Sequence, residues 1–211
     1  MPEMAAGRPR TFCTTKALDA AMQVFWRKGY EGASMVDLTT AIGINSPSLY
    51  AAFGNKEGLF KAVLQRYDDR RQEFMDMIVA APTAQETARL FLHGVADFCA
   101  ATGGNTPPGC LFLQSGLACC DDNIPDALAK HRAEKEKALR DRFERSRLEG
   151  DLPDTACATT LARYLTTMGN GMAVQATSGA TVEELHTIAD IALSSFPACA
   201  KAKSAVKDLV D

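Results

Sequence analysis

The sequence predicts an all-α protein, and three observations carry that prediction. Apolar residues recur at three- and four-residue spacing in segment after segment, and no run of alternating β-branched residues marks a strand. Capping residues stand before these segments, and Gly or Pro stands after most of them. About nine helices result, with no internal repeat.

In chain order, residues 14 to 29 place Leu18, Met22, Phe25 and Trp26 on one face, and Gly29 closes the segment. Ser34 with Asp37 reads as an N-cap and its reciprocal acid, opening a short helix with Val36, Leu38 and Ile42 turned inward until Gly43. Next comes GINSPSLYAAF, residues 43 to 53, where Asn45 or Ser46 can cap and Pro47 occupies the first turn, where a missing N–H costs nothing. Asn55 caps a longer helix carrying Leu59, Phe60, Val63, Leu64 and Tyr67. Thr83 to Glu86 form a capping box ahead of a stripe of Leu92, Val95, Phe98 and Cys99. After the loop GGNTPPG, the segment from Cys110 to Cys120 is apolar nearly all round, which predicts burial. Residues 124 to 149 are dense in charge with a thin stripe of Leu128, His131, Leu139 and Phe143, the pattern of a solvated helix face. Two final helices, 155 to 177 and 182 to 196, precede a Lys/Ala-rich tail.

The totals restrict the function classes. Hydrophobic residues make up 46% and charged residues 23% of the 211, and no window approaches the ~18–20 apolar residues of a membrane helix. The start, MPEMAAGRPR, has no apolar leader core, so a cytoplasmic location with no membrane partner is expected. Seven cysteines without a Cys-x-x-Cys spacing predict reduced thiols packed as small hydrophobes. With His93, His131 and His186 but no Ser/His/Asp signature, Gly-rich phosphate loop or metal-ligand spacing, we expect no enzyme, no cofactor and no metal. Net charge is −3 overall, while residues 1 to 60 hold six Lys/Arg against five Asp/Glu. That asymmetry is too slight to identify a nucleic-acid binder.

The stretch GINSPSLYAAF is more informative. Short helix, tight turn at Gly43, short helix is the arithmetic of a helix-turn-helix, whose second helix enters the major groove. Ser46, Pro47 and Ser48 are small enough for the backbone to approach base edges; a serine hydroxyl donates or accepts, and proline packs on a thymine methyl. Tyr50, Lys56 and the helix N-terminus at Ser34 are placed to hold phosphates, and Asn45 stands beside them. Upstream, Arg8 and Arg10 lie on an arm that either reaches a minor groove or stays in solvent.

The block from Arg8 to Tyr67 resembles the DNA-binding domain of the TetR/AcrR family of bacterial transcriptional repressors. FWRKGY, SMVDL, GINSPSLYAAF and NKEGLF fit the family elements F-W-x-K-G-Y, S-x-x-D-L, G-I-x-x-x-x-L-Y-x-x-F and N-K-E-x-L-F in order. The resemblance implies a three-helix DNA-binding domain over 1–56, a helical ligand-binding and dimerisation domain over 57–197, and a tail over 198–211. It further implies a homodimeric repressor on a palindromic double-stranded operator, released by a small-molecule inducer. Two positions depart from the pattern. Cys13 stands where many relatives carry a capping Asp, with Thr14 as its substitute at a loss of ~1 kcal/mol. Ser46 stands where many carry Arg or Lys, which removes the long donor suited to guanine.

The C-terminal half, with GCLFLQSGLACC, EGDLP and LARYLTTMGNGMAVQATSGAT, is similar to one subgroup of that family. Family architecture places a pocket among the central helices, with Phe98, Phe112, Leu117, His131, Tyr164 and Met168 as its candidate wall. The last two helices are apolar on more than one side: Leu161, Leu165, Met168 and Met172 form one stripe, Ala162, Gly169, Ala173 and Ala176 another. A helix apolar on two sides needs two partners, so residues 155 to 196 are the expected dimer face. Cys110 follows Pro-Pro-Gly at a helix start, where aligned N–H groups favour a thiolate. An electrophile- or redox-sensing regulator built on Cys110 is therefore the alternative reading.

Overall fold

The computed structural model describes residues 13–100, 107–118 and 123–197, with the side chains of 116–118 and 123–127 outside that description. Arg8, Arg10, Cys119, Cys120, Cys199, the Leu117 side chain and the tail therefore lie outside the described residues. Within them the chain is all-α: α1 (Thr14–Gly32), α2 (Met35–Ile42), α3 (Ser46–Phe53), α4 (Lys56–Ala80), α5 (Ala84–Cys99), α6 (Leu111–Ala118), α7 (Asn123–Leu148), α8 (Ala158–Thr177) and α9 (Val182–Ser194).

Local chemistry sets most of these boundaries. Ser34 and Asp37 form a reciprocal capping box at α2, Asn45 rather than Ser46 caps α3, and Asn55 caps α4. Gly29 adopts φ +70° and breaks the helical path, as predicted, but one more turn follows before Gly32. Cys13 is the N-cap of α1 and makes no side-chain capping bond, and Thr14 does not replace it, because it already stands inside the first turn. At α5 only half of the expected box forms. Thr83 accepts from the Glu86 N–H at 3.1 Å, but the Glu86 carboxylate turns to Arg89 at 2.5 Å.

Two apolar clusters organise the molecule, and α4 belongs to both. Its first half, through Leu59, Phe60, Val63, Leu64 and Tyr67, packs with Met22, Phe25, Trp26, Leu38 and Leu49. Its second half, through Met75 and Ile78, joins the cluster of α5, α7, α8 and α9. Leu111 and Phe112 of α6 enter the first cluster, so α6 sits on α1 and touches the N-terminal unit directly. Asp19 ties α1 to α4, accepting from Arg66 at 3.1 Å and Arg70 at 2.7 Å.

Three expectations of side-chain placement need correction. Val36 is 73% exposed rather than inward: α2 is so short that Leu38 alone of its residues is fully buried. Phe98 emerges at the rim of α5 and covers the Arg71 guanidinium, 4.4 Å from its ring centroid. The charged helix α7 is not merely a solvated face. It runs against α4, α5 and α8, and Arg142 is buried there, donating to the Ala81 carbonyl at 2.8 Å and to the Ser146 hydroxyl. No helix among the described residues is long and apolar enough to cross a membrane.

Candidate functional site

The first candidate surface is the outer side of α2 and α3. Gly43 has φ +77°, a left-handed conformation that glycine adopts without Cβ strain, and its N–H donates to Thr39 O at 2.9 Å. The chain thereby turns sharply into α3. Leu49, fully buried, and Phe53, half-buried, belong to the apolar cluster that holds α3 against α2 and α4, while Ser46, Pro47, Ser48 and Tyr50 are all exposed.

Two of the expected contact residues already have internal work. The Ser34 hydroxyl accepts from the Asp37 N–H at 3.1 Å and donates to its carboxylate at 2.7 Å, while Asn45 Oδ1 accepts from the Ser48 N–H at 2.9 Å. Lys56 lies over the Tyr30 ring at 4.6 Å, with Nζ 3.4 Å from the Glu31 carbonyl, at the edge of the surface rather than its centre. Asp37 is in turn held by Lys28 at 2.6 Å, and that bond, with those from Ser34, lowers its pKa to about 2. Exposed Val36 flanks the same side, an apolar contact that helical periodicity assigned to the core.

The second candidate is a cavity of about 350 Å³ between α4, α5, α6, α7 and α8. Phe74, Phe91, Val95, Leu113 and Ala173 supply apolar wall; Arg71, Cys110, Phe112, His131 and Lys135 bring the polar and aromatic groups. Of the expected wall, Phe112 and His131 line it, their rings stacked at 3.6 Å. Phe98, Tyr164 and Met168 do not: Tyr164 donates to the Ala192 carbonyl at 2.8 Å, tying α8 to α9, and Met168 packs against the α5/α8/α9 core.

The electrostatics of the cavity centre on Arg71. Its Nη1 donates to the Tyr67 hydroxyl at 3.1 Å and to Cys110 Sγ at 3.4 Å, and Tyr67 donates to the same sulfur at 3.6 Å. Burial opposes the Cys110 thiolate, but Arg71, the Leu113 N–H and Lys135 outweigh it and hold the thiol below its ordinary pKa. Cys99, also on the wall, is pushed by burial to about 12 and stays a thiol. Burial and the Arg71 charge bring Lys135 down to about 8. Burial, then Lys135, Arg71 and Arg132, lower His131 to about 3, and its Nδ1 lies 3.1 Å from the Asp68 carboxylate.

Tyr67 connects the cavity to α1. Tyr67 bonds to Arg71 and Cys110, packs edge-on to Trp26 of α1 at 5.2 Å, and meets Phe112 at 5.1 Å. Arg71 and Lys135 were missed by sequence reading because each lies in a charge run, in DDRRQ and KHRAEKEK, where nothing separates a solvated cation from one turned inward.

A helix-turn-helix with an exposed second helix, mounted on a helical body that encloses a cavity, defines a DNA-binding transcriptional regulator. The chain belongs to the tetR family of bacterial regulatory proteins, whose family model matches residues 17–63. It is 36% identical over 208 residues to the HTH-type transcriptional repressor ComR of Escherichia coli K12, covering 92% of this chain and 94% of that one. The repressor BdcR of the same strain is 31% identical over 188 residues, covering 88% and 90%. Among solved structures, a cysteine mutant of the TetR family regulator CifR in complex with 26-bp double-strand operator DNA matches with TM-score 0.83 and 37% identity. That match spans 90% of this chain and 100% of that one.

Proposed function

We propose that this protein is a homodimeric transcriptional repressor that binds a palindromic operator and leaves it when a small molecule enters the cavity. The observation that carries the ligand response is Tyr67, whose ring and hydroxyl connect the cavity residues Arg71, Cys110 and Phe112 to Trp26 of the helix-turn-helix unit. A ligand that displaces Arg71 or Phe112 shifts the seat of α1 and with it the spacing of two recognition helices. It changes operator affinity by the difference in its own affinity for the two spacings.

Dimerisation through residues 155–196 is supported by Val174 on α8 and Ile191 on α9, which are 45% and 65% exposed although both helices also face the core. Two-fold symmetry places the two α3 helices in successive major grooves ~34–36 Å apart. Ser46, Pro47, Ser48 and Tyr50 then face the groove, with Lys56 and the α2 N-terminus at Ser34 on phosphates; Arg8 and Arg10 extend the footprint if their arm follows the minor groove. A footprint of the DNA upstream of the protein's own coding sequence is expected to show two protected half-sites related by a dyad, with affinity falling as salt rises. Protection without a dyad would overturn the dimeric reading.

The lowered Cys110 pKa supports the second reading, a thiol-based sensor of electrophiles or oxidants. Mass-spectrometric alkylation rates on the folded protein separate the two. The sensor reading requires Cys110 to outrun exposed Cys157, whose thiol is also held low by hydrogen bonds from Thr160. A rate no higher than that of Cys157 ends it.

A further inference from the structure

We infer that the cavity is built for a small amphiphilic anion, a carboxylate whose head lies between Arg71 and Lys135 and whose apolar part lies against Phe74, Phe91 and Val95. This rests on the reading of the cavity as the effector site and gives that effector a chemical class.

The first argument is unbalanced charge. Among the described residues no carboxylate pairs with Arg71 or Lys135, although both line the cavity. The acids nearby have nearer partners: Glu136, itself on the wall, pairs with Arg163 at 3.1 Å, and Asp68, which feels the charges of Lys135 and Arg71 without an ion pair to either, lies 3.1 Å from His131. Arg71 is also prevented from swinging out to solvent. Phe98 and Tyr67 hold its guanidinium at 4.4 and 5.4 Å from their ring centroids, and Nη1 is fixed by the Tyr67 hydroxyl and Cys110 Sγ. Lys135 Nζ lies 5.0 Å from the Phe112 ring centroid. Two inward cations held by aromatic rings, neither in an ion pair among the described residues, form an anion subsite.

The second argument is the rest of the wall. One stretch of it is aromatic and aliphatic, Phe74, Phe91, Val95, Leu113 and Ala173, beside the polar Thr166, Asn170 and Glu136, and the volume falls in the ~300–1,000 Å³ range of small-molecule pockets. A free inorganic anion would leave that apolar stretch unfilled, and a neutral hydrocarbon would leave two cations without an anionic partner in a partly enclosed site. A ligand with one anionic head and a short apolar body satisfies both.

Calorimetric titration of the DNA-free protein with octanoate and phenylpropionate, each against its primary amide, tests this. The carboxylates are expected to bind at least ~10-fold more tightly than the amides, the usual scale for a charge-assisted hydrogen bond. Lys135→Gln and Lys135→Met should abolish that preference while leaving amide binding intact, which also shows that the cavity still forms. Bound carboxylate should slow alkylation of Cys110 by covering the sulfur beside Arg71. Equal binding of acid and amide, binding unaffected by either Lys135 variant, or no binding by any carboxylate would overturn the anion subsite and leave the ligand-response reading standing. Lys135-dependent carboxylate binding that leaves a footprinted operator occupied would do the reverse.

Discussion

At the scale of single residues, placement decides chemistry. Ser46 and Ser48 are both exposed on α3 and both short, so on the proposed operator-binding reading base readout would rest on short contacts and on methyl packing at Pro47. Ser46→Arg is expected to change operator preference by adding a long bidentate donor, read as a shift in the best site from a randomised half-site selection; an unchanged preference would remove Ser46 from the groove. His131 makes a second prediction. Its folded pKa is about 3 against an ordinary value near 6.5, so between those values the unfolded chain binds the extra proton. The contribution is fully present above pH ~6.5 and is lost as pH falls toward about 3, on the order of 1–2 kcal/mol by pH 5. Asp68, raised by burial, acts in the opposite sense. Urea unfolding at pH 7 and pH 5 should show a smaller loss in His131→Asn than in the parent.

At the scale of elements, α5 has a contact that no periodicity reveals. A Cβ at Gly94 would lie 1.8 Å from the Phe74 ring, so the glycine is the seat of the side chain that walls the cavity from α4. Gly94→Ala forces Phe74 inward. We expect a stability loss of about 1–3 kcal/mol from overpacking, together with weaker binding of any cavity ligand, both measurable by thermal shift with and without octanoate. The short helices depend on their caps instead. Asn45→Ala removes the acceptor of the Ser48 N–H and should cost ~1 kcal/mol in chemical denaturation.

At the scale of the whole molecule, α4 and α7 each contribute buried residues to both apolar clusters, and α6 packs on α1. The cavity helix α4 packs directly on α3, which gives the proposed ligand response a packed route. The route counts only when the protein is a dimer, since spacing is a property of two copies. Ile191→Glu puts a charge on the exposed face of α9 and should dissociate the dimer in sedimentation experiments. Operator affinity should fall with it while the monomer retains its helical content.

Much of this molecule is legible in the sequence wherever cause and effect are close along the chain. Capping residues, Gly29, Gly43 and the 3.6-residue stripes fix helix type and most helix starts, because caps and periodicity act within a few residues. The recognition helix is legible for the same reason: Asn45, Pro47 and Leu49 act locally. Val36, Phe98 and the charges of α7 are not legible. Whether Val36 faces water depends on how little of α2 reaches α1, and Arg71 and Lys135 turn inward only because α4 and α7 pass on either side of a space that neither creates alone. The sequence by itself determined a helix-turn-helix and the residues it presents. Tertiary packing alone decided which cations lost their water and where a ligand could replace it, because burial of a long side chain is set by helices far apart in sequence.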